Sequence, residues 1–119
     1  MTIDRFQTGP RMSKIVRHAG LIFLSGQTAN GTTLSDISSQ TKEVLRRIDE
    51  LLAEAGSDRS HLLTATVYLR DIGDFAAMNL EWEAWLAHAS APARTTVEAR
   101  LASPNLLVEV TVTAARMRD

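Results

Sequence analysis

The chain has no cysteine. That absence excludes disulfides, thiolate catalysis and cysteine-ligated zinc, and it is compatible with a reducing compartment. No segment approaches the roughly 18 consecutive apolar residues of a membrane span, and the opening MTIDRFQTGPRMSK holds no apolar run fit for a signal-peptide core. A cytoplasmic location without a membrane partner is the expectation. Charge of one sign is also missing: 13 Lys and Arg stand against 14 Asp and Glu, a formal net charge of -1. Sequence-independent phosphate binding needs a positive field, and base stacking needs aromatics set among basic residues, yet aromatics make up only 5% of the chain. Nucleic acid is therefore not an expected partner. Three prolines and six glycines form no linker, and no repeat or low-complexity tract divides the sequence. His18, His61 and His88 lie far apart without metal-ligand spacing, so no metal is expected.

What is present is a chain of 119 residues, 45% hydrophobic and 23% charged. That is enough for one folded domain over residues 1–119 with one core. From Ser35 to Gly56, Ile37, Val44, Leu45, Ile48, Leu51, Leu52 and Ala55 recur every three or four residues, which predicts a helix with one apolar face. Ser35 or Asp36 can cap its start, and Gly56 supplies the left-handed residue that ends it. A second helix is predicted from about Asp74, its cap, to Ala89, on the stripe Phe75, Met78, Trp82, Trp85, Leu86 and Ala89. Asn79 sits on or beside this stripe, where a buried amide needs a partner. Trp82 and Trp85 read as packing.

The remaining segments alternate with period two. Leu63, Ala65, Val67 and Leu69 oppose Thr64, Thr66, Tyr68 and Arg70; Thr95, Val97, Ala99 and Leu101 oppose Thr96, Glu98 and Arg100; Val108, Val110, Val112 and Ala114 oppose Leu107, Glu109, Thr111 and Thr113. Residues 14–27 read as a hairpin turning near His18-Ala19-Gly20, with Leu21 to Leu24 as a mostly buried strand, and a short strand at Thr2 to Phe6 precedes it. The order strands, helix, strand, helix, strands predicts an α+β fold, a single mixed sheet with both helices packed on one face. The other face, of threonines, Tyr68 and a few charges, is too apolar for open water and too polar for a dry core. A partner subunit is expected to cover it.

Two residues invite chemistry. Arg94 follows Ala91-Pro92-Ala93, a turn that presents it at a strand entrance, and its planar fork can hold a carboxylate through two hydrogen bonds. A surface arginine or half of a structural ion pair is the plainer alternative. Glu109 lies between Val108 and Val110, in a strand context that disfavours glutamate. It either faces solvent or, partly desolvated, positions and activates water. Ser25-Gly26 at a strand end reads first as a turn and second as a place where backbone approaches a ligand.

Taken together, FLSGQ (23–27), LLAEAGSDRSHLLTATVYLRD (51–71), DFAAMNLEWEAW (74–85), PARTTVEARL (92–101) and VEVTVTAA (108–115) resemble the RidA (YjgF) family of small enamine/imine deaminases over nearly the whole chain. The fifteen-residue step from Arg94 to Glu109 is that of its deaminating members. The resemblance implies a chorismate-mutase-like fold, a homotrimer whose sheets close into a central barrel, and sites in the clefts between subunits. It implies that Arg94 binds the substrate carboxylate and Glu109 orients water, with Ser25, Asn79 and groups near Thr96 completing the substrate site. It also implies a hydrolase of the 2-iminobutanoate/2-iminopropanoate deaminase type, working without a cofactor on reactive 2-enamino and 2-imino acids. The chain departs from the best-known members at Arg11-Met12-Ser13, where they carry an aromatic residue, at Thr96, where they often carry cysteine, and at Thr111, where their strand has a second glutamate. These departures mark a divergent subgroup and bear on substrate preference.

A non-catalytic protein that senses a small carboxylate in the same cleft is the main alternative; it needs Arg94 but not Glu109. Ribonuclease or translational inhibition, also attached to this family, conflicts with the charge balance. Chorismate mutase chemistry requires a dianion, and the sequence offers no evident second cation besides Arg94.

Overall fold

A computed structural model describes residues 2–117. Strands β1 (Asp4–Thr8), β2 (Ser13–His18), β3 (Leu21–Leu24), β4 (Leu62–Leu69), β5 (Ala93–Glu98) and β6 (Val108–Ala115) form one sheet in the order β1-β2-β3-β6-β4-β5. Every neighbouring pair is antiparallel except β4 and β5. Helix α1 (Ile37–Ala55) carries the chain from β3 past β6 to β4, and α2 (Phe75–Trp85) carries it from β4 to β5. Both crossovers step the same way across the sheet. The strong preference for right-handed connections therefore puts both helices on the same face, as the hydrophobic pattern predicts.

The core lies between that face and the helices. Val44, Leu45, Ile48, Leu51 and Leu52 of α1 and Met78 and Trp82 of α2 pack with Ile15, Ile22, Leu24, Ala65, Val67, Leu69, Val108, Val110, Val112 and Ala114 of the sheet. The Asp36 side chain caps α1 by accepting from the Ser39 amide at 2.8 Å, and Gly56, at φ 88°, ends it in the left-handed region. The β2–β3 turn places both Ala19 and Gly20 at positive φ, which gives a two-residue hairpin its right-handed twist at the expense of strain at the alanine.

Several elements differ from the pattern reading. β1 begins two residues later than expected. β3 is not mostly buried: it lies inside a sheet with one covered face, so Ile22 and Leu24 are buried while Leu21 and Phe23 face outward. A register shift between Leu62 and Thr64 gives the core position to Leu62 and exposes Leu63. Asp74 makes no capping bond. It closes a single 3-10 turn (Ile72–Asp74) capped by Asp71, which accepts from the Gly73 amide at 2.8 Å. α2 stops at Trp85 rather than Ala89, because Arg59 donates to the Trp85 carbonyl at 2.7 Å and Asp49 accepts from the Trp85 indole at 3.0 Å. These bonds tie the end of α2 to α1 and occupy the carbonyl that another helical turn would need.

β5 ends at Glu98, and residues 99–107 form a loop leading into β6. Buried Gln40, on α1, secures it: its amide nitrogen donates to the carbonyls of Leu34 and Asn105 at 2.9 and 2.8 Å, and its oxygen accepts from the Leu107 amide at 2.8 Å. Arg70 adds bonds to the carbonyls of Leu106 and Ser103 at 2.9 and 2.8 Å. Replacing Gln40→Ala strands two carbonyls and one amide in a buried place and is expected to cost about 3 kcal/mol. Urea unfolding checks this, and an unchanged midpoint would show that the loop does not depend on Gln40.

Candidate functional site

Arg94 stands in parallel register with Ala65, and Thr96 with Val67. Both therefore share the helix-side face of the sheet, with Thr95 and Val97 on the other. At this edge the Arg94 guanidinium reaches α2, where its Nη1 donates to Asn79 Oδ1 at 2.8 Å. It lies over the rings of Trp82 and Phe75, 5.4 and 5.8 Å from their centroids. Burial lowers its pKa from the ordinary arginine value and Glu83 opposes the shift; the group stays cationic at neutral pH. Among the described residues of one copy no carboxylate forms an ion pair with Arg94. Two residues along, the buried hydroxyl of Thr96 has no hydrogen-bond partner. The edge is thus a partly desolvated cation flanked by an unmet polar group.

Glu109 belongs to a different neighbourhood. It pairs across β4–β6 with Tyr68, which alternates with the buried Val67 and Leu69, so its side chain lies on the face away from the helices. There its carboxylate rests against Gly26: a Cβ on that glycine would lie 2.0 Å from Glu109 Oε2. Gly26 does not have a positive φ, so the glycine supplies room and not backbone freedom. The segment is pinned by paired bonds between Gln27 and Val110, amide to carbonyl in both directions at 2.9 and 3.0 Å. The Gln27 side chain donates to the Ser25 carbonyl and hydroxyl at 3.0 and 3.2 Å, and the Ser25 amide bonds to Lys14. Gly26 and Glu109 thus lie in contact, while the Ser25 hydroxyl is engaged by Gln27.

Of the five residues singled out in the sequence, then, one copy of the chain brings together Arg94, Asn79 and Thr96 and, on the opposite face, sets Glu109 against Gly26, the chain neighbour of Ser25. It does not bring the two groups to each other. Three contributions were missed. Trp82 was read as packing and does belong to the core, but with Phe75, on the same stripe, it also stands against the Arg94 guanidinium. Gly26 was read first as a turn; the glycine next to Ser25 was the available signal, but its partner is 83 residues away in sequence.

The family model described as Endoribonuclease L-PSP matches residues 2–116. A RutC family protein of Haemophilus influenzae is 43% identical over 114 residues, covering 96% of this chain and 98% of the relative. The chain belongs to the RidA (YjgF) family. Another relative of this RidA-family chain, the RutC family protein YoaB of Escherichia coli, is 40% identical over 97% of this chain and 99% of its own. Among solved structures, NMB1025 of Neisseria meningitidis, a member of the YjgF protein family, superimposes with a TM-score of 0.93 at 50% identity, covering all of this chain and 98% of that one. Rv2704 of Mycobacterium tuberculosis shares the fold at a TM-score of 0.86 and 26% identity, covering 96% and 99%. Among the described residues no helix is long and apolar enough to cross a membrane, and no cluster of His, Asp and Glu is arranged to hold a metal.

The fit between Gly26 and Glu109 can be tested directly. In Gly26→Ala the carboxylate is expected to move by at least about 1 Å to reach ordinary contact distance, visible in a crystal structure of the variant. The obstacle is the free end of a side chain, so stability should change by no more than about 1 kcal/mol. An unmoved carboxylate in the variant would contradict the close approach.

Proposed function

We propose that the protein hydrolyses 2-imino acids, reached from their 2-enamino tautomers, to 2-keto acids and ammonia, in clefts formed between copies of the chain in a homotrimer. The observation that carries this reading is Arg94: a charged guanidinium placed between two rings, steadied by one amide oxygen, and joined by no carboxylate. Such a group is a receptor for a small carboxylate, since a charge-assisted bidentate bond strengthens where water is partly excluded. Glu109 provides the second element on the other face, against Gly26. A ligand touching both groups must lie between two copies, and the half-apolar open face, with Leu21, Phe23, Val97 and the threonines, suits burial against further copies.

In the proposed reaction Arg94 of one copy anchors the carboxylate while Glu109 of another holds a water against the imine carbon. As the water oxygen bonds to C2, the π pair of C=N moves to nitrogen and Glu109 takes a proton from the water. That proton passes to nitrogen in the resulting carbinolamine. The hydroxyl proton of the carbinolamine then passes through Glu109 to the amino nitrogen as the C–N bond breaks, so that ammonia leaves with the electron pair and the oxygen lone pair closes the C=O of the keto acid. No cofactor is invoked, because the imine carbon is already electrophilic. Clearing such reactive intermediates would be a damage-control role in metabolism.

The test follows ammonia and keto-acid release from an imino acid generated in place by an amino-acid oxidase. Arg94→Ala is expected to lower kcat/KM at least about tenfold, as when a charge-assisted contact of about 1.5–3 kcal/mol is lost. Glu109→Gln should abolish turnover yet still bind a stable keto acid. Equal rates for Arg94→Ala and wild type would remove the anchoring role, and binding without turnover by the wild type would favour a carboxylate sensor. Sedimentation is expected to show a trimer; a monomer mass would exclude a site made from two copies.

A further inference from the structure

The loop at residues 99–107 creates a feature that the sequence pattern concealed. The Ala99 amide donates to the Leu69 carbonyl at 2.8 Å, and Gln40 and Arg70 hold the far half of the loop, so its backbone is fixed at both ends. Between loop and sheet lies a cavity of about 290 Å³ lined by Tyr68, Ala99, Arg100, Leu101, Ala102 and Glu109. One copy of the chain thus sets Arg100 and Glu109, the candidate water-activating residue, along the same small space. They do not pair: among the described residues neither Arg100 nor Glu109 forms an ion pair. Arg100 is exposed and contributes nothing to the core.

The charges decide what such a cavity accepts. A carboxylate alone on its wall repels any second acid group on an incoming ligand at a distance of a few ångströms. An arginine along the same space can offset it and offer a planar fork to an oxyanion. The volume corresponds to about ten waters at ~30 Å³ each, room for an acid of four or five carbons with the attacking water.

We infer that Arg100 is a specificity-determining residue that binds the distal acid group of a dicarboxylic 2-imino acid, while Arg94 of a neighbouring copy binds the carboxylate beside the imine. The inference rests on the proposed hydrolysis and names its substrate class. The reaction that supplies such a substrate is oxidation of an acidic amino acid at its C–N bond, as flavin-dependent oxidases perform with oxygen as acceptor.

The experiment compares kcat/KM for imines made in place from aspartate and from a neutral amino acid of similar length. It runs alongside calorimetric binding of succinate and butanoate, for the wild type, Arg100→Gln and Arg100→Glu. The wild type is expected to prefer the dicarboxylic compound in both assays, and Arg100→Gln to lower the dicarboxylic-to-monocarboxylic ratio about tenfold, with Arg100→Glu lowering it further. The same ratio in wild type and Arg100→Gln, or a wild type that favours butanoate and the neutral imine, would overturn the role of Arg100 and leave hydrolysis standing. No turnover of either imine, with the succinate preference present and lost in Arg100→Gln, would overturn hydrolysis and uphold Arg100 as the distal acid receptor.

Discussion

A strand sends alternate side chains to opposite faces, and this sheet has helices on only one of them. Most of what distinguishes the molecule follows from that constraint. Ala65, Val67 and Leu69 fix the helix side of β4; parallel register then commits Arg94 and Thr96 to the same side, and antiparallel register commits Glu109 to the other with Tyr68. The cation and the carboxylate that chemistry would unite are thereby divided within one copy of the chain. Shared use requires that copies meet.

The division also explains how each group is prepared. On the helix side, aromatic walls and one amide oxygen partly strip Arg94 of water without neutralising it, which raises the energetic return from an arriving anion. On the open side, the Ser25-Gly26-Gln27 segment is bonded to β6 beside Glu109, so a backbone surface supports the carboxylate. The loop from β5 to β6 depends on a polar residue buried among the apolar positions of α1, Gln40, whose three bonds replace the ladder that the loop lacks.

Legibility in the sequence followed the strength of the periodic signal. α1 carries its full apolar stripe and both end signals, and its limits lie within two residues of the expected ones. β6 alternates without interruption, and its buried positions are the expected valines and Ala114. The errors arose where side-chain bonds override pattern: Arg59 and Asp49 shorten α2, and a shift of one residue in β4 exchanges Leu62 for Leu63. Arg94 and Glu109 were conspicuous because each breaks the rule of its surroundings. Gly26 and Arg100 were not, since a glycine after a strand and an arginine on the polar side of an expected strand are ordinary until the fold shows what lies beside them.

The seat of Glu109 on Gly26 has an evolutionary implication. With Oε2 only 2.0 Å from where a methyl would stand, the two positions cannot drift independently. A lineage that acquires alanine at 26 must shorten or swing the acid at 109, so that substitution and altered chemistry would be inherited together. Glycine at that spot is then a marker by which chains keeping a glutamate in this posture can be told from those that have abandoned it.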